Sequence, residues 1–431
     1  MAATEKNKQA AENTGRLPPL RGAILDVDGT LLDSMPMWDQ LAAKFLRGRG
    51  LQPEPDVNEK IKDMTVTAAG RFGVATSTNA ISYTQSGGTI TVCTLGNTSA
   101  TLGSFDLGTS LSSAISISGG TIVNQLAATA IDYRHQAGSG IAGVTGGTLQ
   151  LGNASSGAAK TFNLRGVLPN VVVTSTSAGH TATMSTTLAN YNNISLDITI
   201  ANGATFNANN LVFLFYGTTI TNNGTLTHNG ASSRFILFRP NTAHQYTGSG
   251  TVTAPMTSLE LQDDIGLTFD PASPNVVASR VILFTGGFTN ANKLTLGNGG
   301  TTTATVQIGN TTTPTAAGFF DAAPTFNLGS GGQVVSYLRT TAARSTGPEI
   351  NPTRTLTSLT VDDNDPSHPL TLSGGDLAVG TALTLANGRV ITGASKLAAG
   401  TATLTRTNGY VDGNLSKTFT AAGSKAFEVG T

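Results

Sequence analysis

From Thr65 to the end of the chain, apolar and small polar residues alternate in short runs. Examples are Gly88-Thr89-Ile90-Thr91-Val92, Ile194-Ser195-Leu196-Asp197-Ile198-Thr199-Ile200, Lys293-Leu294-Thr295-Leu296 and Ala382-Leu383-Thr384-Leu385. Period-two alternation rich in β-branched residues predicts strands with one buried face. The runs break at Gly119-Gly120, Gly146-Gly147, Asn202-Gly203, Asn223-Gly224 and Asn387-Gly388, residue pairs that tolerate the positive φ of tight turns. No helical stripe follows Met64. Before it the pattern differs: Ala23–Val27 is one short apolar strand. Met37–Arg49, with Trp38, Leu41, Phe45 and Leu46 at helical spacing, predicts an amphipathic helix.

The strand region repeats itself. Gly-Gly-Thr followed by an apolar residue recurs at Gly87, Gly119 and Gly146, and Leu-Gly-Asn at Leu95, Leu151 and Leu296. Thr161-Phe162-Asn163-Leu164 is echoed by Thr325-Phe326-Asn327-Leu328. Like units at uneven spacing predict an all-β, right-handed parallel β-solenoid with corner loops of variable length. Inward Val, Leu and Ile would fill a narrow core, and stacked Asn and Thr would hydrogen-bond along the axis. At roughly 20–27 residues per coil and about 4.8 Å of rise, residues 65–431 would make about 14–18 coils in a rod of roughly 65–85 Å.

Composition sharpens the boundary. The chain has 431 residues with 25 basic and 25 acidic side chains, and 19 of these 50 lie in residues 1–63. Charged residues thus fall from about 30% of the first 63 positions to about 8% of the remainder, while 46 of the 51 Gly lie after the seam. Zero net charge without a basic block argues against a nucleic-acid surface. A lone Cys93 excludes a disulfide framework, and no apolar run is long enough for a transmembrane segment. Residues 1–20, ending in Leu17-Pro18-Pro19-Leu20, predict a mobile lead-in with no signal peptide.

Residues 21–63 carry a second kind of signal. The strand Ala23–Val27 runs into Asp26-Val27-Asp28-Gly29-Thr30-Leu31-Leu32-Asp33-Ser34, which puts the Asp26 and Asp28 carboxylates on one side at i and i+2. This stretch resembles the opening of haloacid-dehalogenase-like phosphatases of the beta-phosphoglucomutase-like group. The resemblance implies Asp26 as phosphoryl-accepting nucleophile and Asp28 as general acid/base, both beside Mg²⁺. A hard cation there would let an anion attack a phosphate. It also implies a Lys, a second Ser or Thr and a late acidic pair on alternating strands and helices. Asp263-Asp264 and Asp362-Asp363 are the available acidic pairs, but both sit in Thr/Gly-rich strand sequence. The expectation is a short α/β fragment, fused or misassembled onto the solenoid, in which Asp26 and Asp28 are inactive.

Residues 355–431, from Leu356-Thr357-Ser358-Leu359 through Leu383-Thr384-Leu385-Ala386-Asn387-Gly388 to Gly409-Tyr410-Val411-Asp412-Gly413, are similar to repetitive bacterial surface proteins. These are the autotransporter-passenger and filamentous-haemagglutinin-like β-solenoids and Bacteroidetes-type secreted adhesins. The resemblance implies a secreted or cell-surface rod without catalytic activity or cofactor, whose partner is a glycan or protein on a neighbouring surface. Because the pattern stops at Val429-Gly430-Thr431 without a cap, the solenoid is expected to be incomplete at its C-terminus. The alternatives are a Mg²⁺-dependent phosphatase using Asp26, and a carbohydrate-active β-helix using Asp362, Asp363 and Asp365 with Arg354. Asp362, Asp363 and Asp365 before Pro366-Ser367-His368 also offer clustered oxygens for Ca²⁺, against the simpler expectation of a solvated turn. His135, His180, His228, His244 and His368 are scattered singly and are expected at solvent-facing loop positions. Cys93 reads as a small core or surface residue, and Thr-x-Thr faces, which order water in ice-binding solenoids, here read as strand chemistry.

Overall fold

The computed structural model describes residues 65–420 apart from 139, 176–178, 186–192, 229, 231–232, 254, 263–264 and 317, together with 47–48, 52 and 429–430. Asp26 and Asp28, and the fragment expected over 21–63, lie outside the described residues except for 47–48 and 52. Within them the chain winds as a parallel β-solenoid of about 14 turns. At about 4.8 Å per turn this is a rod of roughly 65 Å.

Three faces run along the rod. The first holds eleven strands paired in chain order, from Thr65–Thr67 through Ser82–Val92 and Ala114–Asn124 to Phe319–Phe320. The second starts at Phe72–Gly73 and passes through Thr161–Leu168, Thr181–Met184, Thr205–Asn207 and Thr225–Thr227 to Thr251–Val252. It resumes in Val276–Ala278, Leu294–Leu296 and Thr325–Phe326. The third begins in the last residues of Thr161–Leu168 and continues from Val212–Phe215 and Arg234–Leu237 to Thr403–Arg406. Long strands turn the corner and serve two faces: Thr161–Leu168 pairs with Thr181–Met184 through its first half and with Asn193–Ser195 through its end. Among the described pairings only the bridge Asn310↔Arg339 is antiparallel.

Alternation sets what faces inward. Ile122, Leu149, Val171, Ile198 and Ile220 stack in register down the first face, and Phe162, Ala182, Phe206 and Leu226 down the second; all are buried. The core is one continuous column from Val92 to Leu415. Phe72, Phe105 and Tyr133 stack along it with centroids 5.6 and 5.5 Å apart and interplanar angles of 15° and 6°. Such pairs contribute about 0.5–1.5 kcal/mol beyond area burial. The expected axial ladder of polar side chains is present: Asn408 Nδ2 donates to Asn387 Oδ1 at 3.0 Å, and Asn387 donates in turn to Asp362.

The Gly-Gly-Thr repeat is the register itself, because Thr89, Thr121 and Thr148 are direct partners on three successive turns. Gly119 has no room for a side chain: a Cβ there would lie 2.2 Å from the Ser86 carbonyl oxygen of the turn before. Turn length varies more than the expected 20–27 residues, from 17 (Gly400 to Lys417) to 33 (Phe72 to Phe105) among the described pairings. The strand rungs are held by their pairing with the turns on either side, whereas corner loops run over the surface and lengthen freely.

The histidines correct the sequence reading. His135, His180, His228 and His244 are fully buried rather than solvent-facing. Three of the imidazoles pack on core rings: His180 on Phe162, His228 on Phe235 and His244 on Phe215, all at 5.7 Å. His244 Nδ1 lies 2.8 Å from the Gly217 carbonyl and His228 Nε2 3.1 Å from that of Leu211. Burial pushes His135 and His228 down to about 4, so both stay neutral near pH 7. Cys93 is a buried core residue with φ 60°. Among the described residues no helix is long and apolar enough to cross a membrane.

Candidate functional site

The acidic turn near the C-terminal end is built for structure. Asp363 Oδ2 accepts from Thr340 N at 3.0 Å and Thr340 Oγ1 at 2.7 Å, and its Oδ1 accepts from Asp365 N at 3.2 Å. Asp365 accepts from Ser367 N and Oγ, bonds that hold its carboxyl below the usual range. Asp362 accepts from Asn387. His368 completes the turn, 4.0 Å from Asp363 and 3.7 Å from Asp365. Arg354, offered as a partner for these acids, instead donates Nε to the Asp376 carbonyl at 2.9 Å. Among the described residues no group of three or more His, Cys, Asp or Glu is placed to hold a metal ion, so the clustered oxygens form no Ca²⁺ cage. Asp263 and Asp264 lie outside the described residues.

Three buried charged clusters were not legible in the sequence. Asp106 and Arg134 are register partners one turn apart, and the guanidinium grips the carboxylate through Nε at 2.8 Å and Nη2 at 2.6 Å. The amides of Gly103 and Gly108 donate to the same carboxylate at 2.6 and 2.9 Å, so its acceptor capacity is used. Glu260 sits on the outer side of the third face between Ile236 and Ile282, and is nonetheless fully buried. Burial opposes its charge, but Arg234, Ser258 and Gln262 outweigh it and hold the carboxyl below its usual range. Arg280 adds a contact at 3.3 Å from the next turn. Tyr337 donates its hydroxyl to Glu349 under the Arg344 guanidinium, and burial raises the phenol well above its ordinary value. The first two clusters tie neighbouring turns, the third closes within one turn, and in each the partners are spent on one another.

One concavity is differently composed. It has a volume of about 310 Å³ and lies on the corner between the third and first faces. That corner lengthens turn by turn. One residue separates Leu168 from Asn170, two separate Ser195 from Ile198, three separate Phe215 from Thr219 and five separate Leu237 from Ala243. Ile141 and Ala142 of the short 3₁₀ turn Gly140–Gly143 also line this saddle. Its lining mixes Ile141, Val144 and Leu196 with Asp197, Tyr216 and Arg239.

A polar ladder along the corner fixes this lining. Asn170 Nδ2 donates to the Gly147 carbonyl at 2.8 Å, and its Oδ1 accepts from Asp197 N at 3.2 Å. Asp197 Oδ1 accepts from Thr218 N at 2.6 Å and Thr219 N at 2.9 Å, whereas among the described residues Oδ2 has a single long contact, 3.4 Å from Thr218 Oγ1. Tyr216 packs edge-on against Phe238 at 5.6 Å, and Arg239 Nη1 donates to the Tyr216 carbonyl at 3.3 Å. The sequence held a signal: Asp197 is the one acid in the strand pattern Ile194–Ile200. It did not show that residues from five turns meet there. No family model, no curated protein and no solved structure matches the chain.

Proposed function

We propose that residues 65–431 serve as a secreted or surface-exposed adhesive rod, which presents its corner loops at set spacings to a glycan or protein on a neighbouring surface. The observation that carries this reading is the parallel stack of turns, in which the buried carboxylates of Asp106 and Glu260 join turn to turn instead of converging on a cleft. A stiff stack with variable corners gains affinity through many weak contacts, each placed by the scaffold. The repetitive strands of 355–431, similar to autotransporter-passenger and filamentous-haemagglutinin-like solenoids, support the same reading. Beads coated with the full chain should be retained on glycan- or cell-coated surfaces under flow. Retention equal to uncoated beads sinks the proposal.

A second reading rests on the Asp26-x-Asp28 motif: Mg²⁺-dependent phosphoester hydrolysis with Asp26 as nucleophile. The alternating strands and helices such an enzyme needs are not found among the described residues. Phosphate release from a small phosphoester that requires Mg²⁺ and vanishes in Asp26→Asn would establish it.

A further inference from the structure

The corner saddle has the chemistry of a small-ligand site. Its volume of about 310 Å³ falls at the lower end of the roughly 300–1,000 Å³ usual for such sites. Ile141, Val144, Leu196 and Tyr216 supply apolar surface, while Thr145, Asn170, Asp197, Thr218 and Arg239 supply hydrogen-bonding groups. One carboxylate and one guanidinium leave the lining with no net charge, which favours neither a phosphate nor a cation. A ligand matching this lining is neutral, rich in hydroxyls, and apolar on one side. Those are the properties of a pyranose ring, whose C–H face meets apolar surface while its hydroxyl rim meets polar groups.

Position argues the same way. The Gly147–Asn170–Asp197–Thr218 ladder holds the Asp197 carboxylate with Oδ1 occupied and Oδ2 left as an acceptor. Preorganised acceptors of this kind cost little to bring to a ligand. Arg239 stands on the longest of the four corners, beside Tyr216, whose ring Phe238 orients.

We propose that this saddle binds a neutral pyranose unit of a surface glycan, with Asp197 Oδ2 accepting from a sugar hydroxyl and Tyr216 and Leu196 meeting the ring. The inference rests on the adhesive reading and assigns it a site. Titrating the full chain with methyl glucoside, galactoside and mannoside, followed by ligand-observed NMR, should show saturable binding of at least one. Leu196→Trp, which fills the saddle, and Arg239→Ala, at an exposed position, should each weaken it at least tenfold. Leu95→Ala, at an exposed position on the corner between the first and second faces and outside the lining, should leave it unchanged. Circular dichroism matching the parent validates each variant. Absence of binding by all three glycosides overturns the proposal, as does undiminished binding by folded Leu196→Trp or Arg239→Ala. Preference for methyl glucuronide over the neutral sugars overturns the neutral assignment. Bead retention separates the two ideas: retention without glycoside binding removes the saddle alone, and glycoside binding without retention removes the adhesive reading alone.

Discussion

Two stretches of the same second face solve one packing problem in opposite ways. Between Phe72 and His135 the rungs carry Asp106 and Arg134 as adjacent, almost fully buried partners, beside the stacked rings of Phe105 and Tyr133. Between Thr161 and Val252 the inward column is Phe162, Ala182, Phe206, Leu226 and Val252, flanked on the outer side by Thr161, Thr181, Thr205, Thr225 and Thr251 in register. A parallel stack places each residue against its counterpart one turn away, so either a charge pair or an apolar ladder completes the contact. They differ in how they fail. Loss of half an ion pair strands a charge in low dielectric, while loss of a methyl group leaves a small void.

The contrast sets the order of expected effects. Arg134→Ala, which leaves Asp106 buried without its partner, should destabilise the rod by about 3–5 kcal/mol in urea unfolding. A loss under 1 kcal/mol there would mean that the Gly103 and Gly108 amides suffice for the carboxylate. Leu226→Ala should cost about 3 kcal/mol in the same experiment, with the value set by how far Phe206 and Val252 close the gap. Because turns touch only their neighbours, the two losses should add in the double variant; strong coupling would break the comparison.

A third test uses pH. Burial raises Asp132 to about 7, against the backbone N–H bonds it accepts from Asn163 and Ala128. The folded state therefore holds this proton where the unfolded chain, at about 3.9, has released it. The Asp132 contribution to stability is greatest in acid and falls as pH rises from about 4 to about 7. His135 and His228, lowered to about 4, act with the opposite sign between about 4 and 6.5. Replacing Asp132 by Asn should remove the falling component and leave stability rising with pH over that window. An unchanged profile refutes the assignment. The smallest effect belongs to Arg280→Ala: its side chain is 41% exposed and Arg234 still holds Glu260, so a change below about 1 kcal/mol is expected in thermal melts.

Strand alternation and the Gly-Gly-Thr repeat made the fold legible, because both are properties of residues close in sequence. The second kind of neighbour, one turn away by 17 to 33 residues, was hidden by the irregular corners. That is why four histidines expected in solvent are core-facing, and why Glu260, in the unremarkable run Ser258-Leu259-Glu260-Leu261, proved to be the centre of a three-turn cluster. Asp362, Asp363 and Asp365 drew notice as a dense acidic string, yet their hydrogen bonds close a local turn and its two neighbouring rungs. The saddle escaped notice for the same reason, since its walls come from separated corners.

The unequal turns also give the rod a mechanical character. Its inter-strand hydrogen bonds run along the long axis, so tension applied at the ends loads them rung after rung instead of all together. Under a steady pull the chain should lengthen as a staircase. Turns of 18 and 32 residues release roughly 60 and 110 Å of contour at about 3.4 Å per residue. Each step height then reports which corner has come undone.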